Sequence, residues 1–105
     1  MVPGREVTLR PIHDPEGAEL SHLLAACELK DKHILEIGIG DGKLMRQYAW
    51  MPIRTVGIDP EPSDLQLAKQ EAEKQALGVC LVQAMGERLP FPAQEFDIAL
   101  FACSL

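Results

Sequence analysis

Positive charge is scarce in this sequence: ten lysines and arginines stand against sixteen aspartates and glutamates in 105 residues, a formal net charge of −6. The field of such a chain repels phosphate backbones and anionic membrane surfaces, so charge gives no support to nucleic acid as a partner. Long apolar runs are also missing. None approaches the roughly 18 residues of a membrane span, and the opening "MVPGREVTLR" lacks the apolar core of a signal peptide. Cysteine is sparse and odd in number. Cys27, Cys80 and Cys103 are far apart, each in an apolar stretch, which excludes a disulfide framework and predicts buried free thiols in a reducing cytoplasm. His13, His22 and His33 fall outside common metal spacings, so no metal site is expected. No low-complexity tract occurs, and 47% hydrophobic residues suit one small globular domain with a single core over residues 1–105.

What is present is an alternation of helix and strand signals. Asp14 before Pro15 reads as a helix start, and Leu20, Leu23, Leu24 and Cys27 recur at helical spacing, predicting a helix over about 15–29. "HILEIGI" is a short apolar run broken only by Glu36, as in a strand buried on both faces. A helix through Leu44, Met45, Tyr48 and Ala49 follows, stopped by Pro52, and "RTVGID" reads as a second strand. Ser63 with Gln66 predicts a capping box opening a helix with Leu65, Ala68, Ala72 and Ala76 on one face, closed by Gly78. "VCLVQA" is a third strand, "MGERLPFPAQE" a loop, and "FDIALFACSL" a fourth strand. Such alternation implies an α/β fold, a Rossmann-like parallel sheet with right-handed crossovers and a ligand crevice at the carboxyl ends of its strands.

The stretch "ILEIGIGDGKL" sits where that crevice would lie. Three glycines in five residues suggest a turn that a ligand approaches closely, with backbone N–H groups at the start of the next helix available to it. A dinucleotide fingerprint would need a third glycine at position 43, where Lys43 stands, and a phosphate-binding loop would need Ser or Thr after Lys43, where Leu44 stands. The spacing is instead E-x-G-x-G-x-G, from Glu36 through Gly38, Gly40 and Gly42. With "VGIDP" and "AMGERLPFPAQEFDIAL" following in that order, the sequence resembles the class I S-adenosylmethionine-dependent methyltransferases, particularly the type 11-like small-molecule group.

The resemblance implies S-adenosylmethionine as cofactor and assigns residues to it. Gly38, Gly40 and Gly42 would turn around its amino acid portion, with Glu36 oriented toward the ammonium. Asp59 would accept bonds from both ribose hydroxyls, for which a carboxylate has two suitably placed oxygens. Pro60 would pack beside the adenine. The family's aspartate for the adenine amine corresponds to Met85, which can pack on the ring but cannot accept a strong hydrogen bond. Gly86 would offer its backbone N–H there, and Glu87 is the next carboxylate. The acceptor implied is a small molecule, and no residue stands out as a general base. The resemblance covers residues 32–105 and, in the expected strand order 3-2-1-4, only part of the family's seven-strand sheet. The fourth strand would then be an exposed edge, inviting self-association through residues 96–105. A non-catalytic cofactor-binding or scaffold module is the alternative to a methyltransferase.

Overall fold

The structure, a computed structural model, describes residues 5–9, 18–89 and 92–102. Five strands, β1 (Arg5–Leu9), β2 (His33–Ile37), β3 (Arg54–Asp59), β4 (Val79–Gln83) and β5 (Ile98–Ala102), form one sheet. Three helices, α1 (Ala18–Ala26), α2 (Lys43–Tyr48) and α3 (Pro62–Lys74), connect them, with one 3-10 turn over Ala93–Glu95. Every neighbouring pair is parallel, in the order β1-β5-β2-β3-β4.

The four expected strands are β2, β3, β4 and β5, and they take the expected order. The addition is β1, which pairs with β5 from Arg5 opposite Ile98 to Leu9 opposite Ala102. This corrects the expectation of an exposed fourth strand: β5 has β2 on one side and β1 on the other. The argument for self-association through residues 96–105 loses its premise. Residues 103–105 lie outside the described residues.

The topology fixes which face each connection crosses. The path β1, β2, β3, β4 moves across the sheet in one direction, so right-handed crossovers bring α1, α2 and α3 to the same face. There Leu23, Ile34, Leu44, Met45, Tyr48, Ala68 and Leu100 form the larger core. The return from β4 to β5 runs over the opposite face, where Leu35, Val56, Ile58 and Phe96 form a smaller cluster against Ile37, Val82, Ala84 and Leu89. Each fully buried aliphatic side chain contributes about 1.5–3 kcal/mol, and β2 buries Ile34 and Leu35 on opposite faces. Gly57 in β3 allows close helix approach. A Cβ there would lie 2.3 Å from Met45 Cε and 2.9 Å from Ile39 Cγ2.

Several boundaries differ from the expectations. The helix predicted over about 15–29 is described over Ala18–Ala26, and its expected start at Asp14 and Pro15 lies outside the described residues. The cap of α3 is Glu61, whose carboxylate accepts from Ser63 N, with Pro62 in the first turn; the Ser63–Gln66 box does not form the start. The chain leaves α3 at Gln75, and Ala76, at φ 55°, takes the left-handed position expected of Gly78. Cys27 is buried, but Cys80 is exposed on the edge strand β4, against the expectation of burial; Cys103 lies outside the described residues.

Candidate functional site

In a parallel sheet all strands end on the same side, so the segments after β2, β3 and β4 meet there. The turn after β2 is the tightest of them. Gly38 N and Ile39 N both donate to Ile58 O, at 2.9 and 3.2 Å, folding the turn over the end of β3. Gly38, Gly40 and Gly42 have φ of 77°, 57° and 81°, a backbone region that costs an L-residue with a side chain about 1–2 kcal/mol.

The glycines differ in what surrounds them. A Cβ on Gly42 would stand 3.0 Å from Ala68 Cβ, so Gly42 packs the turn onto α3. A Cβ on Gly40 would meet nothing within 4 Å. The open side of the turn is therefore at Gly40. Arg46, one helical turn into α2, donates from Nη1 to the Asp41 carbonyl and braces the loop from behind.

Asp59 ends β3 beside this turn and is largely buried. Its Oδ2 accepts from Gly40 N at 2.9 Å, and its Oδ1 accepts from Glu61 N at 2.9 Å. One carboxylate thus ties the glycine turn to the start of α3. An ionised carboxylate has about four acceptor positions, so two remain. Pro60 follows, exposed, its carbonyl accepting from Gln83 Nε2 at 3.2 Å.

After β4, Ala84 N donates to Asp59 O, extending the pairing, and the chain then crosses toward β2. A Cβ on Gly86 would lie 2.9 Å from Ile37 Cγ2, so the backbone there lies against the last side chain of β2. Met85 is 58% exposed and Glu87 is exposed. Their side chains thus face outward. The neighbouring Leu89 packs into the smaller cluster and anchors the loop.

The structure therefore gathers Gly38, Gly40, Gly42, Asp59, Pro60, Met85, Gly86 and Glu87 along one end of the sheet. Glu36 stands apart from them. It is fully buried within β2, on the helical face, and Tyr48 Oη donates to its Oε1 at 2.8 Å. Burial, the Glu36 charge and this hydrogen bond all push the Tyr48 phenol well above its ordinary value of about 10, so it stays protonated as the donor. Tyr48 looks like a core residue in the sequence. Its hydroxyl faces Glu36 because α2 rises straight out of the glycine turn and returns over β2.

A family model described as a methyltransferase domain matches residues 34–105, which is most of the chain. The chain belongs to the class I S-adenosylmethionine-dependent methyltransferase family. A ubiquinone biosynthesis O-methyltransferase from Coxiella burnetii is 32% identical over 90 residues, covering 86% of this chain and 38% of that protein. The chain thus spans well under half the length of that methyltransferase. Among solved structures, the YcgJ protein from Bacillus subtilis shares 26% identity with a TM-score of 0.72, over 78% of this chain and 36% of that one. The cyclase SpnF aligns with a TM-score of 0.68 at 25% identity, over 76% of this chain and 31% of that one. The methyltransferase-type fold thus also carries an activity named differently. Among the described residues no helix is long and apolar enough to cross a membrane.

Proposed function

We propose that this chain is the cofactor-binding part of a cytoplasmic S-adenosylmethionine-dependent methyltransferase acting on a small molecule. The observation that carries the reading is the link between Asp59 and Gly40: a carboxylate at the end of β3 holds the turn after β2 at a glycine whose missing side chain leaves open space. That arrangement fits the cofactor. The two acceptor positions left on Asp59 suit neighbouring ribose hydroxyls, and the turn at Gly38 to Gly42 suits the amino acid portion. The backbone at Gly86 and the exposed side chains of Pro60, Met85 and Glu87 suit the adenine.

The cofactor supplies an electrophilic methyl on a sulfonium that departs as a neutral thioether, so the protein has no developing anion to stabilise there. The chain's own residues are left with alignment, which favours rigid elements over charged catalytic groups. Asp59, anchored at both oxygens, and Gly42, packed on Ala68, are rigid in that sense. The name of the Coxiella relative supports an oxygen acceptor. No residue of the site is singled out as a general base.

A second reading, cofactor binding without methyl transfer, is favoured by Met85. Exposed where the family has an acceptor for the adenine amine, it offers packing and no strong hydrogen bond.

Calorimetric titration of the 105-residue chain with S-adenosylhomocysteine, with NAD as the comparison, tests the site under either reading. Saturable one-to-one binding of the first and none of the second is the expected result. Binding of NAD alone would overturn it.

A further inference from the structure

The sheet has two outer strands, β1 and β4, and they differ in what guards them. An outer strand leaves one row of N–H and C=O groups unpaired, and proteins blunt such an edge with charged residues, proline or a bulge. β1, with the sequence REVTL, carries Arg5 and Glu6. β4, with the sequence VCLVQ, carries no charge and no proline, and its register with β3 runs unbroken from Thr55 opposite Val79 to Asp59 opposite Gln83. Among the described residues no strand covers its outer side.

A second feature lies along the same edge. A groove of about 310 Å³ runs between α3 and β4, lined by Ala72, Leu77, Val79 and Leu81 together with the exposed Lys69 and Glu73. An edge strand beside a groove can take an added strand, the backbone supplying hydrogen bonds and the groove seating alternate side chains.

The chemistry of the edge selects the occupant. An uncharged strand laid antiparallel on a copy of itself opposes no like charges. Lys69 and Glu73 are four residues apart on α3 and so share one face. Under a twofold axis passing between them, Lys69 meets the partner's Glu73 and Glu73 meets the partner's Lys69, so this rim is complementary to itself. A foreign strand of one charge sign would find one favourable and one unfavourable side chain there. Because β3 fills the other side of β4, the association closes at two copies.

We propose that β4 is the interface of a homodimer, formed by antiparallel pairing of the two β4 strands about a twofold axis at Leu81, which joins the two sheets into one. In that register Val79 lies opposite the partner's Gln83 and Cys80 opposite the partner's Val82. Val79 and Leu81 pack toward the larger core, so Cys80 is on the other face, where it and the partner's Cys80 are diagonal neighbours about 7–8 Å apart. None of these residues belongs to the proposed cofactor site, so the inference stands apart from that reading.

Sedimentation equilibrium of the 105-residue chain in reducing buffer, which removes disulfide-linked species, tests it. A reversible monomer–dimer equilibrium is expected, as suits an interface at the small end of specific contacts. Cys80→Lys sets like charges at the diagonal positions on a side chain that is exposed in the single chain, and should weaken the dimer about tenfold or more without changing thermal unfolding of dilute protein. Cys80→Glu should do the same, and an equimolar mixture of the two variants should regain the dimer. Lys69→Glu should also weaken association, and Glu73→Lys added to the same chain should restore it. A chain that is monomeric at every concentration overturns the proposal and leaves the edge to a different polypeptide. A dimer that neither Cys80 substitution weakens also overturns it, by placing the interface elsewhere, and so does a loss in both variants that their mixture does not reverse. Should a Cys80 variant not fold, the α3 pair decides: a double exchange that fails to restore the dimer contradicts the proposal.

Discussion

Asp59→Ala is expected to lower affinity for S-adenosylhomocysteine by roughly 100-fold or more, which corresponds to the loss of two hydrogen bonds to a charged acceptor at about 1.5–3 kcal/mol each. The expectation combines a direct effect with an indirect one. The ribose would lose its acceptors, and Gly40 N and Glu61 N would lose the oxygens to which they now donate. Leaving these amides without acceptors costs about 1–3 kcal/mol each where they are buried, so the midpoint of thermal unfolding should fall too. Asp59→Asn separates the components. The amide oxygen can still hold one of the two N–H groups, so stability should recover in part while affinity stays low. Calorimetry and thermal unfolding on the two variants measure both effects. An Asp59→Ala chain that bound as tightly as the unsubstituted one would remove Asp59 from the site and leave it as a turn residue only.

The second large effect is a contrast between two glycines that look alike in the sequence. Gly42→Ala is expected to destabilise the fold by about 2–4 kcal/mol, adding the cost of a left-handed alanine to an overpacked contact with Ala68. Gly40→Ala meets no atom within 4 Å and should cost only the backbone strain, about 1–2 kcal/mol. Binding should order the other way. The methyl of Gly40→Ala projects into the open side of the turn, where the ligand is proposed to lie, and should abolish measurable affinity in a folded chain. Ala68→Gly provides a check on the first half, because it makes room for the new Cβ and should restore part of the stability lost in Gly42→Ala. Chemical denaturation and ligand titration on the same variants decide both halves. Equal behaviour at the two positions would mean that the glycines serve only the turn.

How far the sequence could be read follows from which contacts are local. The strand at His33–Ile37 was legible because burial on both faces leaves an apolar run that few other structures tolerate. The glycine spacing was legible because left-handed backbone at three positions can be met cheaply only by glycine. β1 was not. Its five residues alternate an exposed Glu6, a buried Val7 and an exposed Thr8, and only pairing with β5, about ninety residues away, makes them a strand. The exposed edge expected for β5 followed directly from missing it. The start of α3 was misplaced for a different reason: Ser63 is a good cap by type, but Pro62 suits the first turn, which makes Glu61 the cap. Glu36 is legible only as a carboxylate that interrupts an apolar run, and such a group needs a partner when buried. That the partner is Tyr48 depends on how α2 turns back over β2, a tertiary fact that helical periodicity does not contain.

The central claim is that a cofactor lies across the carboxyl ends of β2, β3 and β4 and not in another opening found among the described residues. An apolar groove of about 730 Å³ lies between the end of α1 and the segment after α2, lined by Leu24, Cys27, Leu29, Trp50 and Met51. Amide mapping by nuclear magnetic resonance on the labelled chain, as S-adenosylhomocysteine is added, distinguishes the two directly. The amides of Gly38, Gly40, Glu61 and Gly86 should shift to saturation together, with those of residues 24–30 unmoved. Shifts confined to residues 24–30 and the Trp50 indole would place the ligand in the groove and contradict the account.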